Sequence, residues 1–154
     1  MPSGAEAGPP RTPNRVAVIF TTGDPRTIAE MATTCMQLAR EGAHVRVFFR
    51  DESIPALCVP AVAQRLGYRS VEAPADGDDG GTLRPASSEQ PPEPTEAVLH
   101  LLANSGDVTL YACSSSLYLW GVTARDLLPV MSGARGLVAF LVEDLAGAER
   151  VLSY

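Results

Sequence analysis

The pattern that most constrains the fold is a strand, a helix and a second strand that follow one another near the start of the chain. Residues 16–20, VAVIF, form an unbroken apolar run, which predicts a strand buried on both faces. Asp24 and Pro25 then supply an N-cap and a first helical residue, and apolar residues recur at helical spacing until Gly42 ends the helix. Residues 45–49, VRVFF, predict the second strand. This succession is a βαβ unit, so we expect a parallel sheet with a right-handed crossover.

The remaining sequence continues the same alternation of strands and helices. Further strands are predicted at 108–112 and 150–154, and helices at 54–66, 96–104, 115–119, 124–128 and 136–146. Pro55 and Pro60 make the first of these helices irregular, and residues 133–136, GARG, indicate a loop. Together, the predicted strands and helices indicate a three-layer α/β/α domain with a mainly parallel sheet of about four to five strands and flavodoxin-like winding.

Two segments stand apart in composition from the predicted domain. Residues 1–14 are rich in Pro, Gly and Ala, which predicts a flexible N-terminal tail. Residues 72–94 are rich in Pro, Gly and acidic residues with almost nothing to bury, which predicts a mobile insertion. The length of 154 residues suits one domain. We therefore expect a single domain over 15–154 that carries this insertion.

The charged residues exclude several functional classes. The net charge is −6, and a protein that binds nucleic acid through its phosphates needs a basic surface, so no nucleic-acid partner is expected. All 12 basic residues are arginine. Without lysine the chain forms neither a Schiff base with pyridoxal nor the lysine contact of a P-loop. No cofactor is expected.

Metal and membrane sites also lack their sequence signals. Residues 76–81, DGDDGG, suggest a calcium loop, but Gly80 and Ser87 stand where the motif needs an acidic ligand and a glutamate. His44 and His100 lack ligand spacing, so no metal is expected. The apolar runs are too short to span a bilayer, and the N-terminus lacks the apolar stretch of a signal peptide. These features predict a cytoplasmic protein without a membrane span.

Cys113 is the residue that points most directly to chemistry. It follows a predicted buried strand and precedes a predicted helix, and ligands of parallel α/β sheets bind outside the carboxyl ends of the strands. Unpaired N–H groups at a helix start stabilise a thiolate and lower the pKa of a cysteine. Two interpretations remain open here: a reactive thiol, or a small buried hydrophobic residue.

Other residues are expected near the same edge of the sheet. Thr22 follows the first strand, and Arg50, which follows the second, either holds an anionic sulfur species or is a solvated residue at the rim. Ser114 and Ser115 offer hydroxyl groups beside Cys113. Cys58 either packs in the core or approaches Cys113 when the segment after the second strand folds over the edge. The third cysteine, Cys35, lies on the apolar stripe of the first helix and is expected in the core.

Three blocks of the sequence form a recognisable set, namely VAVIFTTGDP at 16–25, LYAC at 110–113 with GVT at 121–123, and AERVLSY at 148–154. Together they resemble the DsrE/DsrF-like sulfur-relay family, which includes the bacterial TusBCD-type carriers. In that family the second block holds the cysteine that carries a persulfide. The resemblance implies that Cys113 accepts sulfane sulfur and passes it to a partner thiol. It also implies self-association as trimers or hexamers and protein partners that donate and accept sulfur.

Three hypotheses of function follow. The first is a sulfur carrier or sulfurtransferase that acts through Cys113. The second is a non-enzymatic oligomeric module of the same fold that binds a ligand or serves as a scaffold. The third is a thiol redox sensor, in which Cys58 and Cys113 form a disulfide and must therefore lie within about 7 Å between Cα atoms.

Overall fold

A computed structural model describes residues 14–70 and 94–154 of the chain. The strands are β1 (Arg15–Phe20), β2 (His44–Phe49), β3 (Val108–Cys113), β4 (Gly133–Arg135) and β5 (Arg150–Ser153). The α-helices are α1 (Pro25–Arg40), α2 (Pro60–Arg65), α3 (Thr95–Ala103), α4 (Ser114–Trp120) and α5 (Leu137–Phe140). Shorter 3-10 helices cover Asp51–Leu57 and Ala124–Asp126, and a π-helix, Leu141–Leu145, continues α5. The predicted tail, apart from Asn14, and the predicted insertion with its DGDDGG motif, apart from Pro94, lie outside the described residues.

The five strands form one parallel sheet in the order β4-β3-β2-β1-β5. The predicted three-layer α/β/α class with a parallel sheet is therefore confirmed. As in a flavodoxin-type sheet, successive strands are added in two directions, but the order differs from the flavodoxin order 2-1-3-4-5. Here the chain adds β2, β3 and β4 on one side of β1 and reverses only when β5 pairs with β1 on the other side.

The two faces of the sheet are covered unequally. Alternate residues of the strands point to opposite faces, and they divide the core into two clusters. The larger cluster packs one face against α1, α3 and the segment that begins with the 3-10 helix Asp51–Leu57. The smaller cluster contains Ala17, Phe48, Cys113 and Phe140. The second face, to which Cys113 belongs, thus has much the thinner hydrophobic layer.

Helix α1 shows why the first βαβ unit is predictable from sequence. The Asp24 carboxylate accepts the Thr27 amide N–H over 3.1 Å, and Pro25 occupies the first turn, where its missing N–H costs nothing. The apolar residues at helical spacing are all buried against the larger cluster. Gly42, at φ 92°, turns the chain toward β2.

Four predicted elements need correction. Residues 133–135 form the edge strand β4 rather than a loop. The predicted helix at 54–66 is divided into a 3-10 helix and α2, because Pro60 begins a new helix and Cys58 instead forms an antiparallel bridge with Leu127. The same bridge shortens the helix predicted at 124–128 to a single 3-10 turn. The helix predicted at 136–146 forms as α5 and then continues in π geometry.

Candidate functional site

Cys113 lies where its sequence position predicts, at the carboxyl end of β3 and immediately before α4. Its side chain points to the second face of the sheet, where it joins Phe48 and Phe140 in the smaller cluster. Only 4% of the residue is exposed. Cys113 is thus buried at the carboxyl edge of a parallel sheet, which is where sheets of this kind bind ligands.

The other two cysteines are core residues on the opposite face. Burial raises the pKa of the Cys35 thiol to about 12, and its Sγ lies 3.6 Å from the sulfur of Met31. Burial, with a smaller contribution from the Asp126 carboxylate, raises the pKa of the Cys58 thiol to about 11. Cys58 Sγ donates to the carbonyl oxygen of Ile54 over 3.4 Å. Thiols with such pKa values are almost entirely protonated at neutral pH and are poor nucleophiles.

Cys58 and Cys113 are not brought together. Cys58 belongs to the larger cluster and Cys113 to the smaller one, so they pack against opposite faces of the sheet. Of the two alternatives for Cys58, packing in the core is the one observed, because the Leu127 bridge and the burial of the residues before it fix that segment on the first face. All three thiols are free.

The loops that follow β1 and β2 meet at the same edge of the sheet as Cys113. Thr22 Oγ1 accepts the Asp24 N–H over 3.1 Å, so the predicted site residue Thr22 shapes the turn into α1. The next residue, Gly23, touches the other loop: a Cβ added there would lie 2.7 Å from the carbonyl oxygen of Glu52. The turn after β1 and the turn after β2 are therefore in direct backbone contact.

The turn after β2 is in turn bound to α4. Asp51 has φ 55°, a left-handed conformation that is uncommon for residues other than glycine. Its N–H donates to Ser116 Oγ over 3.0 Å, and its carbonyl accepts Trp120 Nε1–H over 2.8 Å. Ser116 and Trp120 are four residues apart and share one face of α4. These two bonds connect the edge of β2 to the helix that begins at Cys113.

The remaining predicted site residues lie near the carboxyl edge of the sheet. Arg50 is partly exposed, and its Nε lies 3.0 Å from the Asp51 carboxylate. Ser114 and Ser115 are exposed on the first turn of α4, whereas Ser116 is buried. The three serines therefore differ in role, with Ser116 holding the neighbouring loop.

Arg135 is a neighbour of Cys113 that sequence reasoning missed. It stands opposite Cys113 in the register of β3 and β4. Its guanidinium lies 4.7 Å from the ring centroid of Tyr111 and pairs with the carboxylates of Glu143 and Asp144. Sequence reasoning missed it because residues 133–136 were predicted to form a loop, and a loop residue has no defined position relative to β3.

Two cavities lie away from Cys113. The larger, of about 590 Å³, is bordered by α2, the start of α3 and Cys58. The smaller, of about 250 Å³, lies among Arg15, His44, Arg46 and Asp144. Cys113 lines neither of them.

The described residues contain neither a metal-binding cluster nor a membrane-spanning helix. Within residues 14–70 and 94–154, His, Cys, Asp and Glu side chains form no group of three that would hold a metal ion. In this part of the chain, none of the helices combines the length and the apolar character needed to cross a bilayer.

Comparison with known proteins gives a likeness of fold. No protein-family model matches the sequence, and no curated protein matches it. The solved structure of a protein of unknown function, MTH1491 from Methanobacterium thermoautotrophicum, is similar, with a TM-score of 0.59 and 14% identity. The likeness covers 92% of this chain and 99% of that chain. At this identity the likeness shows a shared fold only.

Proposed function

We propose that the protein is a sulfur carrier in which Cys113 accepts sulfane sulfur as a persulfide and passes it to a partner thiol. The observation that carries the proposal is the contrast among the three thiols. Cys35 and Cys58 pack in the larger cluster, whereas Cys113 ends β3 at the edge where parallel sheets bind ligands. The resemblance of the blocks around Cys113 to the DsrE/DsrF-like family supports the same assignment.

The reaction needs only thiol chemistry. The Cys113 thiolate attacks the outer sulfur of a donor persulfide, the donor S–S bond breaks, and the donor leaves as its thiolate. A new S–S bond now holds the transferred sulfur on Cys113, so there is no net oxidation or reduction. Attack by an acceptor thiolate on that sulfur reverses the process and regenerates Cys113. Neither a cofactor nor a metal takes part in these steps.

Self-association and protein partners belong to this proposal. Several large apolar side chains are exposed, among them Tyr118 and Leu119 on α4 next to Cys113. Exposed apolar patches of this kind are typical of surfaces that contact other proteins. They support self-association, which the family resemblance suggests is a trimer or hexamer, and docking of sulfur donors and acceptors. Three free thiols fit a reducing compartment such as the cytoplasm. Sedimentation analysis of the purified chain tests the oligomeric state.

The proposal is tested by intact mass after incubation with a low-molecular-weight persulfide. We expect the parent protein to gain one sulfur atom, and to lose it again on incubation with a thiol acceptor. The Cys113→Ser variant should gain none, while Cys35→Ala, which changes a core thiol, should still gain one. Equal sulfur uptake by the parent and Cys113→Ser would overturn the proposal.

A second candidate is a ligand-binding or scaffold module without sulfur chemistry. The burial of Cys113 beside Phe48 and Phe140 favours it, because most buried free cysteines serve as small hydrophobic residues. It predicts no uptake of sulfur by any of the three thiols. The packing of Cys58 and Cys113 on opposite faces of the sheet argues against the redox-sensor hypothesis.

A further inference from the structure

Cys113 shares its hydrophobic cluster with one short helical segment. We call residues Leu137–Phe140 and Leu141–Leu145, that is α5 and its π-helical continuation, the cover segment. The helical members of the smaller cluster, Leu137, Phe140 and Leu145, all come from it. The other members of the cluster beside Cys113 lie on the strands or, in the case of Ala148, just before β5. On this face of the sheet, the cover segment is therefore the helical layer of the cluster that contains Cys113.

An aromatic stack holds the first half of the cover segment. The rings of Phe48 and Phe140 lie 4.6 Å apart between centroids with an interplanar angle of 17°, and both residues are fully buried. Cys113 packs in the same cluster, so the stack and the thiol share their surroundings. Movement of Phe140 away from Phe48 would uncover Cys113.

A set of ion pairs holds the second half. Arg135, which faces Cys113 across the β3–β4 register, pairs with Glu143 and, over 3.0 Å, with the buried carboxylate of Asp144. Arg15 of β1 adds a hydrogen bond from Nη2 to the Glu143 carbonyl oxygen over 3.0 Å. We call the contacts of Arg135 with these two acidic residues the clamp.

The cover segment has irregular helical geometry and packs against the protein on one side only. Its last five residues are π-helical, and the Ala146 N–H donates to the carbonyl of Leu141, five residues back. Such geometry is rare and is frequently found at functional sites. Its outer face is apolar yet exposed, with Val138 at 73% and Val142 at 68%. A short element packed on one side only belongs to the part of a fold that opens locally at low free energy.

We propose that the cover segment is a lid over Cys113, and that the clamp sets how often it opens. This inference deepens the proposed function, on which its biological purpose rests, by adding control of access to the same thiol. The strands around Cys113 are fixed by the sheet, whereas the cover segment is held by the stack, the packing of Leu137 and Leu145, the Arg15 hydrogen bond and the clamp. Opening therefore exposes the sulfur while the larger cluster stays intact.

The test is the alkylation rate of each cysteine in the folded protein, measured with iodoacetamide and peptide mapping. Arg135→Gln removes both ion pairs, and Asp144→Asn removes the buried one while keeping its shape. We expect each change to speed the alkylation of Cys113 by about tenfold, because the rate follows the population of the open form. Cys35 and Cys58 report on global unfolding and should stay unchanged. Arg125→Gln alters an exposed arginine in the 3-10 turn after α4 and should leave all three rates at the parent values.

Two results would overturn the lid. One is an unchanged rate at Cys113 in both clamp variants. The other is equal acceleration at all three cysteines, which would mean that opening is global. Phe140→Leu keeps an apolar side chain but loses the aromatic stack. This variant tests the lid independently of the clamp, and it should also increase the alkylation rate of Cys113 alone. Since no sulfur donor is used, a lid that passes this test alongside a protein that gains no sulfur would count against the carrier and not against the lid.

Discussion

Trp120 donates its indole N–H to the carbonyl oxygen of Asp51 over 2.8 Å, a contact that joins α4 to the turn after β2. The side chain reaches back along the helix from its last residue to a backbone group beside the carboxyl end of β2. Together with the bond from Asp51 to Ser116, it fixes the position of the helix that begins at Cys113. The geometry of the candidate site therefore depends on residues that take no part in its chemistry.

Replacing Trp120 by phenylalanine should destabilise the fold. The change keeps an aromatic ring but removes the donor to the Asp51 carbonyl, and a lost hydrogen bond of this kind costs about 1 kcal/mol. Urea unfolding measures the free energy directly. Tyr118→Phe on the same helix is the matched control, since Tyr118 is 82% exposed and its change should have almost no effect. Equal stability of the two variants would contradict the role assigned to the indole.

Adjacent serines on α4 should respond differently to alanine. Ser116 is buried and accepts the Asp51 N–H, so Ser116→Ala leaves a donor without its partner and should cost roughly 1–2 kcal/mol. Ser115 is exposed one residue earlier, and Ser115→Ala should be neutral or slightly stabilising because alanine favours helix. Thermal and urea unfolding of both variants decide the point. A cost at Ser115 that equals or exceeds the cost at Ser116 would contradict it.

Contact between the turns after β1 and β2 makes Gly23 sensitive to a single methyl group. In Gly23→Ala the new Cβ would lie 2.7 Å from the Glu52 carbonyl oxygen, which is backbone and cannot swing aside. The two turns must separate, at a cost of about 1–3 kcal/mol in the free energy of unfolding. Gly136→Ala is the matched control because nothing lies within 4 Å of the Cβ that it adds. We expect the control to stay within about 0.5 kcal/mol of the parent.

The first half of the fold follows from the sequence because its signals are local. The apolar runs of β1 and β2, the Asp24 cap and the helical stripe of α1 all lie within a few residues of one another. Strand β4 was missed because residues 133–135, GAR, carry no apolar run, and they become a strand only through pairing with β3. The position of Arg135 beside Cys113 was lost with it.

The contacts that shape the candidate site are not local. Ser116 and Trp120 bind Asp51 across 65 and 69 residues of sequence, and in both bonds the partner is a backbone group that any residue would offer. No residue pattern encodes such a contact. The placement of Cys113 was predictable because the carboxyl edge of a parallel sheet follows from topology. Its burial was not, since it arises in a cluster whose other members, such as Phe48 and Phe140, are distant in sequence.

The buried thiol of Cys35 should make the fold less stable in alkaline solution. Its pKa is raised by burial from 9.0 to about 12, so above pH 9 the thiol ionises in the unfolded chain before it does so in the folded one. The unfolded state then binds fewer protons, and the free energy of unfolding falls by up to about 1.4 kcal/mol per pH unit from this group. The contribution is fully present below pH 9 and is lost as the pH rises toward 12.

Removing the Cys35 thiol should make the free energy of unfolding fall less steeply with increasing pH. Urea unfolding between pH 8 and pH 11 compares the parent with Cys35→Ala, whose stability should fall less steeply above pH 9. Cys58, with its pKa raised to about 11, continues to titrate in both proteins, so a residual slope is expected. Met31→Leu changes the side chain in contact with the Cys35 sulfur but keeps the titrating thiol. It should therefore lower the free energy of unfolding by the same amount at every pH. If Cys35→Ala kept the slope of the parent while Met31→Leu lost it, the alkaline instability would have to arise from packing and not from ionisation of the thiol.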